Sequence, residues 1–526
     1  ALSLNKNTTG DFNVAVGFCS LRCNATTDNN TAVGAFALNK NTANSNTAVG
    51  KSTLACNTSG ANNTALGNSM ETNTTGSNNT AAGNGALQSN TTASGNTAFG
   101  RITLSANTTG ANNVAVGLCA LRANTTGAIN TSVGACSLCH NTTGTRNTAV
   151  GFCALHENTN NDNTAFGSSS LRDNTSGTRN VAIGPNAMRN ATTADCNTAI
   201  GVSAMQNSST GNDNVGIGNG ALQSNGTGCR NTAVGSLAGD AITTGHENTA
   251  VGHKALTSAT TSCGNVAVGM CSLHNHTTGG DNNAIGMCSQ FTTSTGAANN
   301  SMGHKSMELN TTGDSNVAIG EQSLRRNTTA NNNTAVGKEA LCANTTGADN
   351  SAVGYRALKA NTTATGNNSF GYESLSANTT GCQNTAMGFQ AGTSNITGDG
   401  NVALGYKALF KNNGSTPDFN VAIGRQALYS TTTAVRNSAM GLNAMYSTTT
   451  GGCNVGIGGN ALYTNTTGQY NTAVGYNALC TNQTAISNTA VGYFSLAANT
   501  TGACNVAMGV QAGDNTTTGI NNTFIG

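Results

Sequence analysis

Apolar and polar positions recur along this chain every seventeen residues, a period far longer than the repeat of a single strand or helix. The block Asn-Thr-Ala-Val-Gly stands at Asn30 to Gly34, returns at Asn46 to Gly50 and continues in variant form to Asn522 through Gly526, thirty-one copies in all. The usual step is 17 residues; it shortens to 16 after Asn30, Asn63 and Asn147, and lengthens to 19 between Asn401 and Asn420. With the Asn as position 1, the consensus reads N-T-A-V-G-x-x-A-L-x-x-N-T-T-G-x-x. Positions 1 and 5 are Asn and Gly in every copy, and position 4 is always apolar, as in Val16, Phe99, Ile183, Met302 and Leu404. Position 3 is Ala, Ser or Gly everywhere except Phe524 in the last copy. Positions 6, 7, 10, 11, 16 and 17 vary freely and hold nearly all the charge, which marks them as the outside.

Positions 1 to 5 read as a short strand. Alternation puts positions 2 and 4 on one face and 1, 3 and 5 on the other. The β-branched residues at 2 and 4 suit a packed core, whereas the Ala/Gly stripe opposite predicts close approach of another backbone. A second apolar element at positions 8 and 9, such as Ala37-Leu38 or Ala120-Leu121, closes the core from across the coil, and Asn-Thr-Thr-Gly at 12 to 15 supplies a turn. A helical repeat would need Leu, Glu, Lys and Arg at 3.6-residue spacing, where this chain offers β-branched residues, Asn and Gly. The pattern therefore predicts an all-β parallel β-solenoid with one repeat per coil, and residues 1–526 as a single continuous array without a separate globular domain. At a strand spacing of about 4.8 Å its coils would form a rod on the order of 150 Å long, stabilised by nearest-neighbour stacking. The repeats come to a whole number, which reads either as a window on a longer fibre or as ends shaped to stack.

Composition narrows the function classes. Of 526 residues, 67 are Gly, 17 Cys and 2 Pro; there is no Trp, and only 8% are charged, against about a quarter in ordinary globular proteins. The 22 basic and 20 acidic side chains leave a net charge of +2, which argues against nucleic acid as a partner. Steady Val, Ile, Leu and Ala argue against disorder. No apolar run approaches the roughly 18 residues of a membrane helix. The sequence begins at Ala1 without an initiator Met or a leader, so any export signal is expected to have been removed or to lie outside this segment.

The run Asn147 to Leu155 resembles the head repeats of trimeric autotransporter adhesins, and the fuller unit from Asn471 to Thr484 looks like the 17-residue repeats of phage and bacterial tail-fibre-like proteins. The resemblance covers the whole chain. It implies a left-handed β-roll, a homotrimeric surface fibre and subunit contact through the small stripe at positions 3 and 5. The adhesin head unit is shorter, so the Asn-Thr-Thr-Gly segment is an addition here.

Candidate chemistry is sparse. Asn-x-Ser/Thr sequons at Asn7, Asn57, Asn73, Asn90, Asn107, Asn124, Asn141, Asn174, Asn344, Asn361, Asn378, Asn465 and Asn499 are acceptors for N-linked sugar in a glycosylating secretory route. The same residues suit turns and stacked hydrogen-bond ladders, the preferred reading. Cysteines fall only at positions 7, 10, 11, 16 and 17. Cys119, Cys136 and Cys153 share position 7 of successive coils, as do Cys271 and Cys288, close enough for disulfides, while the odd total leaves at least one thiol free or joined to another chain. The string Cys136-x-x-Cys139-His140 matches zinc and haem-attachment patterns, but its isolation argues for no metal and no cofactor. No nucleophile, base and acid recur together, calcium coils of the Gly-Gly-x-Gly-x-Asp kind are missing, and the Thr pairs sit in turns rather than on a flat ice-ordering face. Lys411 to Pro417, in the 19-residue step, is an enlarged loop and the best local irregularity for a ligand. Phe524 is a candidate plug or end-docking residue. The expected function is non-enzymatic: an extracellular structural fibre that assembles with itself. The alternative is a cell- or virion-surface adhesin or tail-fibre shaft that binds a receptor or glycan.

Overall fold

A computed structural model describes residues 2–414 and 418–526 as two compact units, 1–264 and 265–526. The first carries fifteen three-residue strands, β1 (Val14–Val16) to β15 (Thr249–Val251); the second carries sixteen, β16 (Val266–Val268) to β31 (Thr523–Ile525). Within each unit every strand pairs in parallel with the strands before and after it, position 2 on 2, 3 on 3 and 4 on 4, as in Thr97↔Val114, Ala98↔Ala115 and Phe99↔Val116. Each unit is a parallel β-solenoid with one repeat per coil. Among the described residues no helix is long and apolar enough to cross a membrane.

The expected face polarity is inverted. Position 3 is buried in every strand from β2 to β30, and positions 2 and 4 are at least partly exposed in all of them. The core is a column of position-3 Ala facing position-8 Ala and position-9 Leu, for example Ala115, Ala120 and Leu121, all fully buried. A coil whose strands are three residues long encloses so narrow a lumen that methyl groups fill one wall, and bulky position-4 side chains fit only outside. Local exchanges show how tight the fit is. A Cβ on Gly216 would lie 2.8 Å from Cγ of Met205, and one on Gly513 would lie 2.6 Å from Cδ2 of Phe524. Phe524 therefore faces the core of its own unit, filling the space that Gly513 leaves where other coils have Leu.

Position-5 glycines are held by both conformation and contact. Gly117 has φ +128°, and a Cβ there would stand 2.7 Å from the carbonyl of Gly134 one coil on. The bends fall elsewhere than expected. Left-handed residues sit at positions 7, 9 and 17, as in Cys119 (φ 57°), Leu121 (φ 49°) and Ile129 (φ 61°), whereas position-15 glycines such as Gly110 have no positive φ. A Cβ on Gly110 would crowd the Gly127 carbonyl, although other coils carry Ala at this position, as at Ala93 and Ala194. Leu in the left-handed region is strained, and its complete burial offsets that cost.

The second wall of each coil is made of amides. Position-1 and position-12 Asn are buried and form two ladders. Asn113 donates Nδ2 to the Gly127 carbonyl at 2.9 Å, and its Oδ1 accepts the Asn130 backbone N–H at 2.9 Å. Asn124 donates to the same carbonyl at 2.9 Å and to Oδ1 of Asn107 at 2.9 Å. A ladder breaks wherever the next rung is missing. Ala191 occupies position 12, so Oδ1 of Asn174 below and Oγ of Ser208 above are buried without partners. Restoring the rung with Ala191→Asn should satisfy both groups and raise stability by about 1–2 kcal/mol, measured by reversible thermal or denaturant unfolding; unchanged or lower stability would count against the ladder as described.

Candidate functional site

With the interior closed, chemistry is confined to the outer positions, and the periodic stack sorts these into vertical columns of like position. Two columns make a partly apolar ribbon: position 4 with Phe99, Phe166, Met302 and Met387, and position 6 with Phe18, Leu118, Phe152 and Met270, all more than a third exposed. In the second unit position 6 becomes an aromatic stack, Tyr355, Tyr372, Phe389 and Tyr406, with ring centroids 5.1, 5.1 and 5.5 Å apart. Charges also pair between neighbouring coils, as in Arg356–Glu339 at 2.8 Å and Lys338–Glu321 at 2.9 Å. The small residues of position 3, expected at a subunit contact, are instead inside, while positions 2 and 4 of the same strands are at least partly exposed.

The sequon asparagines stand in the hydrogen-bond ladder. Of the thirteen sequon asparagines only Asn7 is exposed; the other twelve are position-12 rungs with no exposed surface. A glycan on Nδ2 of Asn107, for instance, would replace a proton that the amide donates to Oδ1 of Asn90 and to the Gly110 carbonyl. The Thr that follows is spent similarly: Oγ1 of Thr108 donates to the Thr125 carbonyl at 3.1 Å.

No disulfide is formed among Cys119, Cys136, Cys153, Cys271 and Cys288. Cys119, Cys136 and Cys153 form one column, Cys271 and Cys288 another. Burial pushes the Cys153 and Cys288 thiols up, helped by the neighbouring Cys136 and Cys271 respectively. The Cys136-x-x-Cys139-His140 string does not close on itself. Cys139 and His140 instead meet His156 of the next coil, and the ligand atoms of the three lie within 4.8 Å of one another. His156 escaped the linear reading because it is distant in sequence, yet it shares position 10 with Cys139, and the repeat phase alone could have found it.

Two features of the second unit complete the inventory. A groove of about 400 Å3 is lined by Asn443, Asn460, Tyr463, Thr464, Asn477, Cys480 and Thr481. It forms where the position-10 stack Phe410, Tyr429, Tyr446 and Tyr463 ends, since the next coil carries Cys480 there. The enlarged loop lies partly outside the described residues, at 415–417. Beside it Asp418 is fully buried and takes the place of the position-15 carbonyl, accepting from Nδ2 of Asn412 at 3.0 Å and of Asn401 at 3.3 Å, with Oδ1 unpartnered.

No protein-family model matches the chain, and no curated protein matches it.

Burial pushes the Asp418 carboxyl above its ordinary value, outweighing the hydrogen bonds from Asn412 and Asn401. A raised folded value means that the protonated form favours the fold, and that stability falls as pH rises past the unfolded value near ~3.9. Asp418→Asn keeps an acceptor for both amides and removes the charge. Its melting temperature should exceed the wild type's at pH 7, with the gain shrinking toward pH ~3–4 where the wild-type carboxyl is protonated; a pH-independent difference would refute the assignment.

Proposed function

We propose that this protein is a non-enzymatic structural component of an extracellular, cell-surface or virion-surface fibre, assembling with copies of itself laterally as a homotrimer, end to end, or both. The observation that carries this reading is the exposed ribbon at positions 4 and 6. Contiguous apolar patches beyond a few hundred Å2 are uncommon on monomers and mark contact surfaces. Here position 4 is apolar in every coil of both units and position 6 adds apolar side chains in some of them, a form suited to a partner with the same axial period, which a second copy supplies. The uniform core and amide wall support a scaffold role as well, because they repeat one geometry and offer no recurring catalytic group.

Mass per unit length of the native particle by electron microscopy, with the intact mass of the dissociated chain, tests the assembly. More than one chain per cross-section is expected. Combined Phe99→Glu, Phe166→Glu, Met302→Glu and Met387→Glu should reduce that number to one while leaving the melting temperature within a few degrees, since surface substitutions usually change stability by less than about 0.5 kcal/mol each. A wild-type protein that stays monomeric at all concentrations would refute lateral assembly.

A second reading, an adhesin or tail-fibre shaft that binds a receptor or glycan, is favoured by the groove beside Tyr463. An aromatic ring where its stack stops, flanked by the Asn460 and Asn477 amides and the Thr464 and Thr481 hydroxyls, offers the apolar face and the hydrogen-bonding edge that a neutral sugar needs. Binding to a glycan array that Tyr463→Ala abolishes would favour this reading; equal binding by both proteins would place recognition elsewhere.

A further inference from the structure

The coils beginning at Asn130 and Asn147 meet at the junction where the position-12 ladder fails. The second of these coils is one of the 16-residue repeats, and it lacks a residue in the turn. Asn158 consequently donates Nδ2 to the Asn160 carbonyl at 2.8 Å and not to the rung beneath it. Oδ1 of Asn141 is left buried without a partner.

On the outer side of this junction Cys139 and His156 stack at position 10, and His140 and Glu157 at position 11. Cys139 is 3% exposed. The Glu157 carboxylate accepts from Nδ1 of His140 at 2.7 Å and from Nδ1 of His156 at 2.8 Å. One carboxylate thus fixes both imidazoles in the Nδ1–H tautomer and leaves the Nε2 lone pairs available. A carboxylate behind each imidazole is the arrangement that orients histidine ligands toward a metal. The nearest competing cation is Arg122, whose Nη2 stands 3.5 Å from Nε2 of His140.

We propose that Cys139, His140 and His156 bind a thiophilic divalent cation, zinc above all, and that the bound ion pins together two coils whose amide ladder is broken. One sulfur and two imidazole nitrogens form a donor set that suits zinc. Binding forms a metal–sulfur bond, and the Cys139 proton leaves to bulk solvent. The thiolate and the Glu157 carboxylate together balance the charge of the ion. Glu157 is a positioning residue in this site. The inference goes beyond the fibre reading and does not depend on it.

The probe is zinc added to the full-length protein kept reduced with a phosphine, followed by chelator competition and by hydrogen exchange with mass spectrometry; cadmium provides a sulfur-to-metal charge-transfer band. Wild type is expected to take one ion at the highest-affinity site and to gain exchange protection over residues 130–162, with distant coils unchanged. Cys139→Ser and His156→Gln should each abolish that site. Glu157→Gln should weaken it roughly 10–100-fold, a loss that a purely structural carboxylate would not produce. Cys153→Ser and Cys271→Ser, in the thiol columns, should leave it intact. Retention of the tight site in the double variant Cys139→Ser/His156→Gln, or its loss in Cys153→Ser, would overturn the assignment and move the ion to the thiol columns. Unchanged exchange in the other coils of each variant shows that the fold has survived.

Discussion

Every coil depends on a buried amide that is hydrogen-bonded on all sides. The lumen is narrow, and one wall carries backbone carbonyls and N–H groups that would lie unpaired if the other wall were wholly apolar; an orphaned buried group costs about 1–3 kcal/mol. The side chains of positions 1 and 12 remove that cost. The Gly127 carbonyl receives both Asn113 and Asn124, and their Oδ1 atoms, in turn, accept from the coil beyond, as Asn113 does from the Asn130 backbone N–H. Asn is short enough to remain in the wall while presenting two amide donors and a carbonyl acceptor. Where another residue stands at the next rung, the amide below is stranded, as with Oδ1 of Asn174 under Ala191 and of Asn225 under Ile242.

Once this wall is fixed, the apolar side has little freedom. Position 3 meets position 9 of a neighbouring coil, so gains in volume at one are matched by losses at the other: Gly216 under the reach of Met205, Gly456 against Met445, Gly513 against Phe524. Polar insertions are accommodated by the same pairing, since Ser132 at position 3 bonds to Ser137 at position 8. Close packing makes overfilling as costly as a cavity. The same tightness holds the Leu residues of position 9 in the left-handed region.

The period, the coil boundaries, the strand class and the outer positions were legible in the sequence because they depend only on recurrence. The direction of the side chains was not. Alternation separates two faces without saying which is inside, and β-branched residues at 2 and 4 suit a solvated strand as well as a buried one. Asn107 and Asn124 were legible as turn and ladder residues, but their complete burial, which makes them wall residues, was not. Bends at Cys119 and Leu121 carried no signal, for neither residue type favours a positive φ. His156 was different: its register with Cys139 is visible in the repeat phase, but a search for motifs along the chain passes over partners that are adjacent only through the coil.

That last point governs how function can arise in such a fold. A single outer side chain has solvent on one side and a sealed wall on the other, so it gains partners from its immediate neighbours in the coil, as His156 does from Glu157, or from the coil above or below, one repeat away. Arg356 finds Glu339, Tyr372 finds Tyr355 and Phe389, and His140 finds Glu157 in this way. Because the core does not depend on these positions, substitutions there alter columns without altering the coil. Long columns of one chemistry, such as the apolar column at position 4, suit an extended partner, whereas a site for something small arises where a column changes character within one or two coils. The end of the tyrosine stack at Tyr463 is such a place, and so is the passage from Arg122 through Cys139 and His156 to Arg172. In a uniform solenoid the informative positions are therefore the discontinuities between successive rungs, and these are read by aligning the chain with itself.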